Sequence, residues 1–167
     1  MMVSPARRLS VVLTVEEVAV TDLPETLTDR TAFLLQLALG RAQAMGEEVL
    51  VEVGISGREY GVLAVIAHLA PCSQITAART LGIDRTTTVA LVGGLETRGL
   101  LRRTPDPANR RANLVSLTDE GERVRARAAE ALAACDDRFL DPLDAPDRER
   151  LRALLGRLVA GRDPHTG

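Results

Sequence analysis

Residues 73–98 read SQITAARTLGIDRTTTVALVGGLETR, and how this stretch divides into helices decides the fold. Ser73 is placed to cap a short helix, and Gly82 stands just past its end, where a left-handed residue closes the last turn. After the tight link Gly82-Ile83, Asp84 caps a second helix that ends at Gly99. In that helix Thr88, Leu91, Val92 and Leu95 fall at i, i+3, i+4 and i+7, which makes one buried stripe. The opposite side carries Arg85, Thr86, Thr87, Val89 and Ala90, all but Arg85 short, and crowded at the helix N-terminus. Two helices joined by a Gly-containing turn of about three residues form a helix-turn-helix.

Downstream, LLRRT and ANLVSL read as two short strands around a turn at Pro105–Arg111, a hairpin or wing. Arg110 and Arg111 stand at its tip with no acid beside them. Thr118, followed by Asp119 and Glu120, starts a long helix with Val124, Ala128, Leu132, Cys135 and Phe139 on one face. Pro142 and Pro146 break the chain before a last helix with Leu151, Leu154, Leu155 and Leu158 at helical spacing.

Upstream, ISGREYGVLAVIAHL (55–69) opens with Ser56 and Glu59 in a capping box, flanked by Ile55 and Tyr60 as a hydrophobic staple. A long helix is expected from Thr28, and its middle, FLLQLALG, is apolar almost all round, which suggests burial on more than one side. Residues 1–26 stay ambiguous between strand and packed helix. Their two arginines and short apolar stretch imitate a signal peptide, but Glu16 and Glu17 interrupt it, so a cytoplasmic location is expected. The tail from residue 162 is expected to be disordered.

At 167 residues, 46% hydrophobic and 26% charged, the chain has the profile of one globular domain. No apolar run approaches the ~20 residues that span a bilayer. Cys72 and Cys135 stand far apart, which excludes a disulfide framework and a zinc spacing. All 21 basic residues are Arg, a bias that base composition alone can produce. With Phe33, Tyr60 and Phe139 as the whole aromatic complement, a base-stacking platform for single strands is excluded. Two histidines, no nucleophile–base pairing, no phosphate-cradling loop and no metal spacing argue against an enzyme and against a cofactor.

Net charge is −2, but residues 72–117 hold seven Arg (79, 85, 98, 102, 103, 110 and 111) against Asp84, Glu96 and Asp106. That local balance of +4 leaves −6 for the remainder. A confined basic segment in an acidic protein suits a DNA-facing surface, and it equally suits a solvated helix and turn.

From Ile55 to Gly121 the sequence resembles the MarR family of bacterial transcription regulators. The residues that carry the likeness are LGIDRTTTVALVGGLETRGLL (81–101) and RRTPDPANRRANLVSLTDEG (102–121). The resemblance implies a mainly α fold: a winged helix-turn-helix domain at 55–118 with a two-stranded wing, flanked by dimerisation helices at 27–54 and 119–161. It implies a homodimer on a pseudo-palindromic double-stranded operator, acting as a repressor released by a small, often phenolic, effector. By position, Arg85, Thr86, Thr87 and Ala90 would face the major groove, and Arg110 and Arg111 would occupy the wing. Asn109 departs from the acid that many members carry before the arginine pair. Gly93-Gly94 also departs, and close packing is the one account the sequence offers.

Arg85 can donate bidentately to guanine, and the threonines can reach phosphates or bases. Arg102 and Arg103 read equally as strand-edge solubility charges or phosphate contacts, whereas Arg79 and Arg98 read as structural ion-pairing residues. Phe33, Tyr60 and His68 are the candidates for an effector pocket, although His68 reads more simply as a core or interface histidine. Cys72 precedes a helix N-terminus, a place that lowers a thiol pKa, and is the candidate for a redox-responsive alternative. The other alternative is a winged-helix dimer that acts through protein contacts.

Overall fold

The computed structural model describes residues 23–161, excepting the side chains of 110–112. The expected extension, up to residue 22, and the expected tail at 162–167 lie outside the described residues. In chain order the elements are α1 (Glu25–Thr28), α2 (Thr31–Val53), α3 (Gly57–Leu69), β1 (Cys72–Ser73), α4 (Gln74–Leu81), α5 (Arg85–Thr97), β2 (Leu101–Asp106), β3 (Asn109–Leu117), α6 (Asp119–Phe139) and α7 (Ala145–Ala160). The chain forms two compact units, 1–43 and 44–167, whose boundary falls inside α2.

In the first unit the expected long helix begins at Thr31, three residues later than its sequence suggests, because residues 25–28 close a separate turn in which the Leu27 amide donates to the Pro24 carbonyl at 2.9 Å. No described residue of this unit is buried, and Leu34, Leu35 and Leu39 are exposed.

The second unit is built on caps that the sequence spells out. The Ser56 Oγ accepts from the Glu59 amide while the Glu59 carboxylate accepts from the Ser56 amide at 2.8 Å, the expected capping box. Ser73 caps α4, Asp84 caps α5 and Gly82 adopts φ +65° between them. The core gathers Leu50 of α2, Val62, Leu63 and Ile66 of α3, Val92 and Leu95 of α5, Leu100, Leu101 and Val115 around the sheet, and Ala128 of α6. Burying each large apolar side chain contributes roughly 1.5–3 kcal/mol, so this contiguous cluster is the main source of the unit's stability.

The expected two-stranded wing is the antiparallel hairpin β2–β3, and a further strand extends it into a three-stranded antiparallel sheet in the order β1-β3-β2. β1 is only two residues, paired Cys72↔Val115 and Ser73↔Leu114, too short for sequence periodicity to announce it. The strands also run further toward the tip than expected. Asp106 faces Asn109, so the turn is Pro107-Ala108, with the Ala108 amide donating to Asp106 Oδ1 at 2.8 Å. The register slips between Pro105 and Asp106, and residues 110–112 fall in that irregularity. Pro146 likewise does not break the chain. It lies in the first turn of α7, capped by Asp144, where a missing N–H costs nothing.

At the base of the wing, helix and strand ends are tied together. The Thr118 hydroxyl donates to the Gly99 carbonyl at 2.6 Å and accepts from the Gly121 amide at 3.0 Å. The Thr118 amide donates to the Leu100 carbonyl at 3.1 Å. Gly121 lies so close to Leu100 that a Cβ on it would overlap the Leu100 carbonyl oxygen. Gly93 and Gly94 are the opposite case: a Cβ on either meets nothing within 4 Å, which overturns the close-packing account of the pair.

These contacts set opposite signs for two kinds of glycine substitution. Gly121→Ala is expected to destabilise by about 1–3 kcal/mol or more, because the obstacle is backbone and cannot step aside. Gly93→Ala and Gly94→Ala are each expected to stabilise by roughly 0.5–1 kcal/mol through helix propensity and lost unfolded-state freedom. Urea denaturation of the three variants against the unaltered chain checks both signs.

Candidate nucleic-acid interface

Helix α5 is anchored on one side and open on the other. Thr88, Val92 and Leu95 are buried, and the Thr88 hydroxyl is satisfied by the Asp84 carbonyl at 3.0 Å. Leu91, expected in the same stripe, is half-buried. The open side carries Arg85, Thr86 and Ala90, all exposed, together with Val89, which is 44% exposed. Val89 was recognisable as outward-facing from its spacing, but apolar character gave no reason to count it in a polar site. An exposed β-branched side chain beside Ala90 is suited to a thymine methyl group.

Thr87 departs from the expected role. It is half-buried, and its hydroxyl and amide both donate to the Asp84 carboxylate, so its polar group serves the cap rather than the open face. Those two bonds, the hydroxyl first, hold the Asp84 carboxyl below its ordinary value.

The wing arginines divide by strand alternation. Arg102 is exposed, and its Nε donates to Ser116 Oγ across the strand pair at 3.1 Å. Arg103 points to the other face, where Nη1 pairs with Glu96 of α5 at 3.2 Å. The reading of Arg103 as a phosphate contact therefore meets a guanidinium already engaged inside the protein. The side chains of Arg110 and Arg111 lie outside the described residues.

Arg98 behaves as the structural residue expected of it. It pairs with Glu59 at 2.8 Å and donates to the Gly54 carbonyl, tying the end of α5 to the α2–α3 turn. Arg79 is exposed on α4.

The effector candidates are spread over two units. Phe33 is half-buried in the first. In the second, Tyr60 is half-buried and packs against the core, whereas His68 is exposed at the last turn of α3, not the core position its apolar neighbours suggest. A groove of about 370 Å³ between α2 and α6 is lined instead by Val49, Glu52, Val53, Arg127, Glu130, Ala131 and Ala134.

Cys72 is buried in β1, and burial pushes its thiol up. Desolvation of the thiolate thus shifts the thiol in the direction opposite to the lowering expected at a helix N-terminus. Cys135 is buried on α6. Among the described residues no helix is long and apolar enough to cross a membrane, and no cluster of His, Cys, Asp or Glu could hold a metal ion.

A helix-turn-helix with a sheet wing, ending in a long helix, defines the winged-helix class of transcription regulators. The model of the MarR family matches residues 53–112, the span from the end of α2 to the wing. The chain is 32% identical over 143 residues to the HTH-type transcriptional regulator PecS of Dickeya dadantii, covering 82% of each protein. The structure of the transcriptional repressor CouR bound to a 23-mer DNA duplex is similar at a TM-score of 0.75 and 30% identity, over 84% of this chain and 99% of that one. CouR from Rhodococcus jostii RHA1 bound to p-coumaroyl-CoA matches at 0.68 and 33% identity, over 79% and 93%. The chain belongs to the MarR family, and it is a transcriptional regulator.

The depressed Asp84 carboxyl gives a pH dependence with a definite sign. The native state favours ionised Asp84 more than the unfolded chain does, so the contribution is present above the ordinary carboxylate value of about 4. It is lost as pH falls through the lower native value. The thermal midpoint of the unaltered chain is expected to exceed that of Asp84→Asn at pH 7, and the gap to narrow as pH falls below about 4, the ordinary carboxylate value, and through the lower native one. A gap that holds constant over that range would show that the charge plays no part in the cap.

Proposed function

We propose that the chain acts as a homodimeric, sequence-specific repressor that binds a pseudo-palindromic operator and is released by a small aromatic or phenolic effector. The observation that carries the reading is the open face of α5, with Arg85, Thr86, Val89 and Ala90 exposed on a helix whose other face is locked in the core. The positive N-terminus of the helix favours phosphate, and Arg85 beside it can read guanine. The +4 balance of residues 72–117 supplies attraction to the duplex inside an acidic protein. CouR, described as a repressor, has been captured with DNA and with an aromatic acyl thioester, which supports both halves of the proposal.

Dimerisation is supported within each unit separately, by exposed Leu34, Leu35 and Leu39 in the first and by exposed Leu154, Leu158 and Val159 on α7 in the second. We propose Phe33 in the first unit, and Tyr60 and His68 in the second, each taken by itself, as candidates for effector contact. A promoter release that is unchanged when all three are alanine would remove that assignment.

The test is a gel-shift with the DNA upstream of the protein's own gene, followed by affinity against salt. Arg85→Ala is expected to cost about 1–3 kcal/mol and to relax selectivity at one base pair. Arg111→Ala is expected to cost a similar ~1–3 kcal/mol, most on A/T-rich flanks with a narrow minor groove. Arg102→Ala and Arg110→Ala should weaken all sequences alike and lower the salt slope by about one. A chain that retards no duplex, specific or otherwise, would instead favour action through protein contacts.

A further inference from the structure

Arg103 stands where three elements of the DNA-binding head meet. It projects from β2, the first strand of the wing. Its Nη1 lies 3.2 Å from Glu96 Oε2, one residue before the end of α5. With the Gln74 carboxamide oriented so that its oxygen faces the guanidinium, that oxygen accepts from Arg103 Nη2 at 3.0 Å and Nε at 3.2 Å. Gln74 is the first residue of α4. Both members of the ion pair are about one-third exposed. One planar cation therefore joins the wing, the first helix of the helix-turn-helix and the second. Two acceptors at an angle suit a guanidinium and not an ammonium, which presents no rigid fork.

We propose that Arg103 is a positioning residue, a brace that fixes the wing against α4 and α5 so that wing tip and α5 engage one duplex together. The claim rests on the DNA-binding reading above. An ion pair this exposed adds little to global stability, so what it contributes is geometry. A hairpin pivoting at its base displaces its tip far more than its root. Two contact points held in register bind as one unit, whereas two that move independently lose effective concentration.

The brace and a phosphate contact differ in sign. If Arg103 touched DNA, Glu96→Ala would remove a competing acid and a repulsive charge, and binding would hold or tighten. For a brace, the same variant weakens binding although it makes the protein less negative. The experiment uses the full-length chain and a duplex enriched by repeated selection on the unaltered protein. Affinity is measured across a salt series for Glu96→Ala, Arg103→Ala, Arg103→Lys and the double alanine variant, with thermal midpoints as folding controls.

The brace predicts at least threefold weaker binding for Glu96→Ala, an unchanged salt slope for Arg103→Ala, only partial recovery with Arg103→Lys, and a double variant no weaker than Arg103→Ala alone. Tighter or unchanged binding by Glu96→Ala, with a slope lowered by about one in Arg103→Ala, overturns it. If selection enriches no duplex, the DNA reading fails by itself, and amide hydrogen exchange still decides the brace. Faster exchange across residues 101–117 in Glu96→Ala, with α3 unchanged, upholds it, and identical exchange overturns it.

Discussion

The wing stands because its two ends are fastened at one place. Leu101 pairs with Leu117 at the root of the sheet, and immediately behind that pair Thr118 bonds to both Gly99 and Leu100. The Thr118 hydroxyl is used in both directions at once, as donor to the end of α5 and as acceptor from the start of α6. Gly121 lets α6 come close enough for this, since any larger residue would meet the Leu100 carbonyl. Helix α5, the sheet and α6 thus leave a common point. Their mutual directions follow from a contact of a few residues backed by buried Leu100 and Leu101.

A second set of polar ties adjusts what the core already fixes. Glu47 of α2 accepts from the Gly57 amide, and Arg98 reaches from the end of α5 to Glu59 and to the Gly54 carbonyl. The α2–α3 turn is therefore held from both sides. Exposed or half-exposed pairs of this kind contribute about 0–1 kcal/mol each. Their effect lies in the relative placement of helix ends, which the nonspecific packing of aliphatic side chains determines less sharply.

Features set by residues near one another in sequence were legible beforehand. The caps at Ser56, Ser73, Asp84 and Thr118, the turn at Gly82 and the buried stripe of α5 all depend on spacings of a few residues, and the structure holds them where spacing puts them. What escaped was non-local. Strand β1 exists only because Val115 and Leu114 present an edge to Cys72 and Ser73. The engagement of Arg103 depends on Glu96 and Gln74, seven and twenty-nine residues away, which no motif links to it. Thr87 is instructive in another way: the capping acid was identified, but not that it would take the threonine hydroxyl as well as the amide. The acid-glycine start of α6 was visible as a pattern, while its cause, the Leu100 carbonyl, was not.

These pairings also change how the basic segment should be weighed. Of its seven arginines, Arg98 and Arg103 are matched to acids within the fold, and Arg98's partner Glu59 lies outside the segment. On α6, by contrast, Arg123 and Arg125 are each matched to a glutamate one turn earlier, so much of that helix's charge is neutralised locally. Among the described side chains the formal excess of the head then falls on Arg79, Arg85 and Arg102, against Asp84 and Asp106, whose carboxylates are occupied with backbone amides at a cap and a turn, and Arg110 and Arg111 add their formal charge by sequence alone. At physiological salt the field of distant exposed charges is screened beyond about 8 Å. Acids beyond that distance therefore do little to oppose a duplex at the head, and a protein of net charge −2 can present a locally cationic face.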